Sequence, residues 1–290
     1  MKWLTITVFS LLTQWTNAQN LVLNPSFEIN NAEFCGIMNS NDFSSTAGDW
    51  YAPSQGSPDL YFTSIKSSCI NFQPNSTYSG PIGIKGSQLP RTGEVMSGLF
   101  AYTIQGLEQR EYIQVPLSSP LIIGEKYLVE CFVSLADSTE FATDKLGMFL
   151  SAQAVSLQAN GALNYSPQVI APGFITDTQN WVQISDTITA TDAYAYLTIG
   201  NFNSDANTPT VQNANYSGKP GTYGSYYFID DVRVEHIRGL NTIESEFNKA
   251  DRKLVKVIDF MGRETEFKPN TPLILIYSDG TSERVVKIEE

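Results

Sequence analysis

The 290-residue sequence predicts an all-β sandwich, on three observations. Short runs rich in β-branched and aromatic residues recur between Asn20 and Glu235, several alternate apolar and polar with period two, and Gly, Pro, Asn and Ser punctuate the gaps. No long segment combines helical periodicity with capping residues. The apolar fraction of 42% is enough for a packed core, in a chain with room for one large or two small domains.

Residues 1–18 read as a secretory signal peptide. Lys2 supplies the positive start, Leu4 to Leu12 the apolar stretch and Thr16-Asn17-Ala18 the small-residue exit, so the mature chain is expected to begin at Gln19. No segment reaches the roughly 18 apolar residues of a membrane span, so a soluble, exported protein is expected. Export makes the three cysteines informative, because disulfides persist outside the cytoplasm. Cys131 sits in the apolar run Tyr127 to Val133 and reads as a small buried hydrophobe. Cys35 and Cys69 remain as partners, flanking a polar stretch that contributes little core and gains from a staple.

Strand candidates follow at Gly98 to Tyr102, Glu111 to Val115, Lys126 to Leu135, Gly147 to Ser151, Trp181 to Ile188 and Ala193 to Ile199. Tyr226 to Glu235 is the closing strand and carries Asp230 and Asp231 at its centre, where a plain strand would not place charge. Pairing of the first strand with the last would bring Glu28 beside them, and three acids converging on one edge suggest bound calcium. Strand alternation puts Asp230 and Asp231 on opposite faces, which leaves open which one is a ligand. The alternative is a solvated Glu28, with the aspartates in a turn or paired with Arg233.

The body is strongly acidic: residues 19–249 hold 10 basic against 22 acidic side chains, and the whole chain carries a formal charge of −12. Nucleic acid and anionic membrane are poor partners for such a surface.

The opening Asn24-Pro25-Ser26-Phe27-Glu28 and the closing Ile229-Asp230-Asp231-Val232 resemble the corresponding segments of carbohydrate-binding modules with the galactose-binding-like jelly roll. That resemblance implies a jelly-roll β-sandwich over residues 19–237 with structural calcium beside those two segments. A second resemblance rests on Cys35, Asp49-Trp50, Pro58-Asp59-Leu60-Tyr61-Phe62, Cys69, Arg110-Glu111-Tyr112 and Ser134-Leu135-Ala136-Asp137. It is to an extracellular β domain of Bacteroidetes secreted proteins and of some OmpA-like proteins, and it implies location and fold rather than activity.

Residues 238–249 read as a linker and residues 250–290 as a separate small C-terminal β unit, with strands at 254–259, 272–277 and 284–288. Lys256-Val257-Ile258-Asp259, Gly262-Arg263-Glu264, Pro272 to Tyr277 and Asp279-Gly280 resemble the C-terminal sorting domain of type IX secretion substrates. The implied partner is that secretion machinery, and the implied location is secreted or on the outer cell surface.

Chemistry is less legible. His236, the sole histidine, follows the closing strand, far from any candidate nucleophile turn, which argues against a hydrolytic triad; no motif nominates a glycosidase carboxylate pair. Aromatic rings stack on the apolar faces of sugars while amides reach the hydroxyls, so Trp50, Tyr51, Tyr102, Tyr194, Tyr196, Asn201 and Phe202 are the candidate ligand residues. Trp181 reads as core, and Arg110 with Asp137 as an ion pair between strand ends. The expected function is a non-catalytic binding module for a glycan or polysaccharide. The alternatives are an adhesive protein binding protein or matrix and, third, a glycoside hydrolase.

Overall fold

The computed structural model describes residues 19–31, 38–63, 82–83, 86–103, 106, 108–216, 223–237, 253–268, 271–278 and 282–285. The signal peptide, the Cys35–Cys69 bridge and the linker lie outside the described residues. The chain divides into two compact units, Met1–Ile237 and Arg238–Glu290.

In the first unit a short helix, α1 (Ser40–Thr46), precedes β1 (Asp59–Phe62), β2 (Ile82–Gly83), β3 (Gly86–Ser87), β4 (Val95–Tyr102), β5 (Tyr112–Pro116) and β6 (Lys126–Leu135). Then come β7 (Phe141–Thr143), β8 (Leu146–Ser151), β9 (Val169–Ile170), β10 (Val182–Thr189), β11 (Tyr196–Asn201), β12 (Thr210–Gln212) and β13 (Ser225–His236). One sheet has the order β1-β4-β13-β6-β10 and a second β5-β11-β8-β9, both antiparallel. From β4 to β13 the chain passes back and forth between the two, the jelly-roll arrangement.

The period-two pattern builds the core. Val129, Cys131, Val133 and Leu135 of β6 are buried in one cluster with Ile113 and Val115 of β5, Met148 and Leu150 of β8, and Leu197 and Ile199 of β11. Each such side chain contributes about 1.5–3 kcal/mol by leaving water. Cys131 is a free thiol inside this cluster. Burial, with the Glu130 charge adding to it, raises its pKa and keeps it inert.

The opening segment lies beside the closing strand, as its sequence predicts. Asn20 bridges Glu235, and the Leu21 N–H donates to the Val234 carbonyl at 2.8 Å. Helix α1 was not predicted. It forms because the Asn39 side chain accepts from the Asn41 and Asp42 N–H groups while the Asp42 carboxylate accepts from the Asn39 N–H, a reciprocal cap that supports even seven residues.

The second unit is an antiparallel sheet of β14 (Leu254–Ile258), β15 (Leu273–Tyr277) and β16 (Ser282–Val285), in that order. Asp259 accepts from the Met261 and Arg263 N–H groups and pairs with Arg263 Nε at 2.7 Å, closing a turn in which Gly262 takes φ +79°. Among the described residues no helix is long and apolar enough to cross a membrane.

Candidate functional site

The three acids expected to hold calcium do converge, on the loop that leads into β4. Glu28 Oε1 accepts from the Glu94 and Val95 N–H groups, both at 2.9 Å. Asp230 Oδ2 accepts from the Arg91 and Thr92 N–H groups at 2.7 and 3.2 Å, and its Oδ1 from the Asp231 N–H at 2.8 Å. Asp231 Oδ1 accepts from the Ser26 and Thr92 hydroxyls, each at 2.6 Å, and its Oδ2 pairs with the Arg91 guanidinium. Gly93, at φ +65°, lets the loop pass this close, since a Cβ there would fall 2.2 Å from Glu28 Oε1. The expectation that Asp230 and Asp231 point to opposite faces is corrected. Between Asp230 and Arg233 the register shifts, and Asp231 takes φ +48°, so both carboxylates reach the same loop.

This donor set does not fit calcium. The ion takes six to eight oxygen ligands, whereas here Glu28 Oε1 and all four Asp230 and Asp231 carboxylate oxygens face N–H or O–H donors and Arg91 supplies the positive charge. Among the described residues no group of three or more His, Cys, Asp or Glu is placed to hold a metal. Burial, with the neighbouring Asp231 charge, pushes Asp230 up to about 7 against the pull of its N–H donors. Burial would also raise Asp231, but Ser26, Thr92 and Arg91 hold it below the usual carboxylate range.

The aromatic candidates are scattered. Trp50 is fully buried: its ring lies 5.0 Å from Phe27 and its indole N–H donates to the Asn24 carbonyl at 2.8 Å. Asn201 is buried and donates to the Ala101 carbonyl and the Thr208 hydroxyl, and Phe202 packs on Tyr112. Trp50, Asn201 and Phe202 thus present nothing to a ligand, which corrects their assignment to a sugar-facing platform. Tyr194 is half-buried with its hydroxyl bonded to Thr191, and Tyr102 packs at the edge of Phe141. Trp181, expected in the core, lies half-buried on the outer face of the five-stranded sheet and donates to the Leu89 carbonyl. Arg110 is buried but pairs with Asp205 at 2.7 Å rather than with Asp137, whose Oδ1 accepts from the Ser87 N–H.

The outer face of the four-stranded sheet is covered. Val155 and Leu163, from the connection between β8 and β9, bury Tyr112 and Phe202 on it, and the Tyr112 hydroxyl accepts from the Leu163 N–H at 2.9 Å. That connection leaves a cleft of about 700 Å³ between α1, residues 51–55 and residues 154–158. Its walls carry the amides of Asn39, Asn41, Gln55 and Gln158, the hydroxyls of Ser40, Ser44, Ser54 and Ser156, and the half-buried ring of Tyr51. None of the described residues lining it is charged. The Asn41 and Gln55 side-chain amides have no partner among the described residues, so their hydrogen-bonding capacity faces the cleft. Two backbone bonds fix the walls to each other, Leu157 N–H to the Pro53 carbonyl and Gln55 N–H to the Ala159 carbonyl.

Sequence reasoning reached Tyr51 and missed the rest of this cleft. Tyr196 lies near enough to Tyr51 for the two phenols to interact, although it does not line the cleft. The missed signal is the amide-rich Ser54-Gln55 and Ser156-Leu157-Gln158, which read as loop chemistry until the fold brings them together.

No family model matches the chain, and no curated protein matches it. Among solved structures it is similar to the CBM22-1 xylan-binding domain from Paenibacillus barcinonensis, with TM-score 0.35, 10% identity and coverage of 74% of this chain and 92% of that one. It is also similar to the CBM22-1-GH10 modules of a Clostridium thermocellum endo-1,4-beta-D-xylanase, with TM-score 0.36, 14% identity and coverage of 76% of this chain and 29% of that one. A third is the K1 cleaved adhesin domain of Lys-gingipain from Porphyromonas gingivalis, with TM-score 0.31, 12% identity and coverage of 73% and 96%.

Proposed function

We propose that the chain is a non-catalytic glycan-binding module of a secreted or cell-surface protein. The cleft carries this reading, because the side-chain amides of Asn41 and Gln55, without partners among the described residues, stand with further amides and hydroxyls around one aromatic ring, and such groups exchange hydrogen bonds with sugar hydroxyls. No carboxylate, histidine, lysine or thiol is among the described residues that line it, so it offers no proton-transfer pair for breaking a glycosidic bond. Screening the full chain against immobilised plant and microbial polysaccharides tests the proposal. Retention that Asn41→Ala and Gln55→Ala weaken is the expected result, and retention by none of them overturns it.

The same reading has residues 1–18 direct export and residues 250–290 act as a type IX sorting signal in a Bacteroidetes-type bacterium. The Lys256-Val257-Ile258-Asp259 and Gly262-Arg263-Glu264 motifs and the separate sheet of the second unit support it. Fused to a passive periplasmic reporter, residues 240–290 should carry it to the surface or medium, and a chain ending at Ile237 should stay in the periplasm. Normal surface delivery of the shortened chain would overturn the sorting role.

A further inference from the structure

We propose that the cleft selects uncharged glycans, and that the Tyr51 hydroxyl is its fixed hydrogen-bond donor, set by the buried amide of Gln114. This rests on the cleft being the glycan site. Gln114 is fully buried on β5, and its amide orientation is forced by the backbone it meets. The Val155 N–H donates to Gln114 Oε1 at 2.9 Å, so that atom must be the oxygen, and the Thr198 hydroxyl donates to it as well at 2.9 Å. The amide nitrogen is left to donate to the Val155 carbonyl at 3.1 Å and to the Tyr51 hydroxyl at 2.8 Å.

Tyr51 therefore accepts from Gln114, and its own O–H proton has no acceptor among the described residues. Burial, with the Tyr196 phenol beside it, raises the Tyr51 phenol above its ordinary value, so the proton is present at every physiological pH. One buried amide thus ties both walls of the cleft, through Tyr51 on one side and Val155 on the other, and turns a donor that could rotate into one with a set direction. The ligand atom facing it is an acceptor, a sugar hydroxyl or ring oxygen. A carboxylate or sulfate would also accept from Tyr51, but none of the described residues lining the cleft is a cation that would compensate its desolvation, and the whole chain carries a net charge of −12.

The test is affinity electrophoresis of the full chain in gels containing glucomannan, arabinoxylan or laminarin, against gels containing alginate or polygalacturonate. Retardation by at least one neutral polymer and by neither acidic polymer is expected, and stronger retardation by the acidic pair would overturn the selectivity. Tyr51→Phe keeps the ring and should weaken retention about fivefold, the loss of one neutral hydrogen bond. Retention unchanged in Tyr51→Phe but weakened in Asn41→Ala and Gln55→Ala would overturn the donor role and leave the cleft standing. Retention unchanged in all three variants would remove the cleft itself as the site. Near-unchanged melting of Asn41→Ala and Gln55→Ala keeps the contrast readable even where Tyr51→Phe loosens the fold.

Discussion

The clasp at Glu28, Asp230 and Asp231 and the cleft beside Tyr51 are both polar, yet their hydrogen-bonding capacity goes to different places. In the clasp, carboxylates are spent on the protein's own loop, Arg91 to Val95, and on the Arg91 side chain, which also lies 3.5 Å over the Phe132 ring. In the cleft, the side-chain amides of Asn41 and Gln55 make no bond within the described residues and face solvent. The comparison teaches that dense charge in a sequence marks where the fold is held as readily as where a ligand is held. Uncharged amides that the chain leaves unused, as at Asn41 and Gln55, are the stronger sign of a binding surface.

The largest expected effect is on the clasp. Asp230→Ala takes the acceptor from the part-buried N–H bonds of Arg91 and Thr92, which costs more than the relieved repulsion from Asp231 returns, so a net loss of about 1–2 kcal/mol is expected. Urea unfolding reads it, and glycan retention of the folded fraction should not change. The cleft should behave in the opposite way. Asn41→Ala and Gln55→Ala should change stability by less than about 0.5 kcal/mol, as surface substitutions do, while each weakens retention about threefold or more. A cleft substitution that costs stability without touching retention would erase the distinction. The smallest effect belongs to calcium: because Arg91 and the loop N–H groups already satisfy the three acids, adding EGTA should leave the unfolding midpoint where it was. A drop of several degrees would mean an ion takes the place of Arg91.

The strands were legible because alternation states which face is buried, and Lys126–Leu135 was bounded from sequence as it stands in the structure. That the opening segment pairs with the closing strand could be read from strand-like runs at the two ends of the body, and the structure realises it in the Asn20–Glu235 bridge. The two-faced placement of Asp230 and Asp231 failed because alternation assumes an unbroken strand, and Asp231 at φ +48° breaks it. Trp50 was misassigned because ring chemistry is the same in a core and on a surface, and only packing on Phe27 decides between them. The cleft left almost no trace, since its walls come from residues 39–44, 51–55 and 154–158, more than 100 residues apart at the extremes and without shared periodicity.

Whether the cleft beside Tyr51 is where glycan binds is read most directly by nuclear magnetic resonance, titrating the isotopically labelled full chain with an oligosaccharide from whichever neutral polymer retards it. The side-chain amide signals of Asn41, Gln55 and Gln158 and the backbone signals of residues 51–55 and 154–158 should shift together and saturate at one affinity, while Arg91 to Val95 stay still. Shifts confined to Arg91 to Val95 or to the outer face of the five-stranded sheet around Phe132 and Trp181, with the cleft amides unmoved, would contradict binding in the cleft.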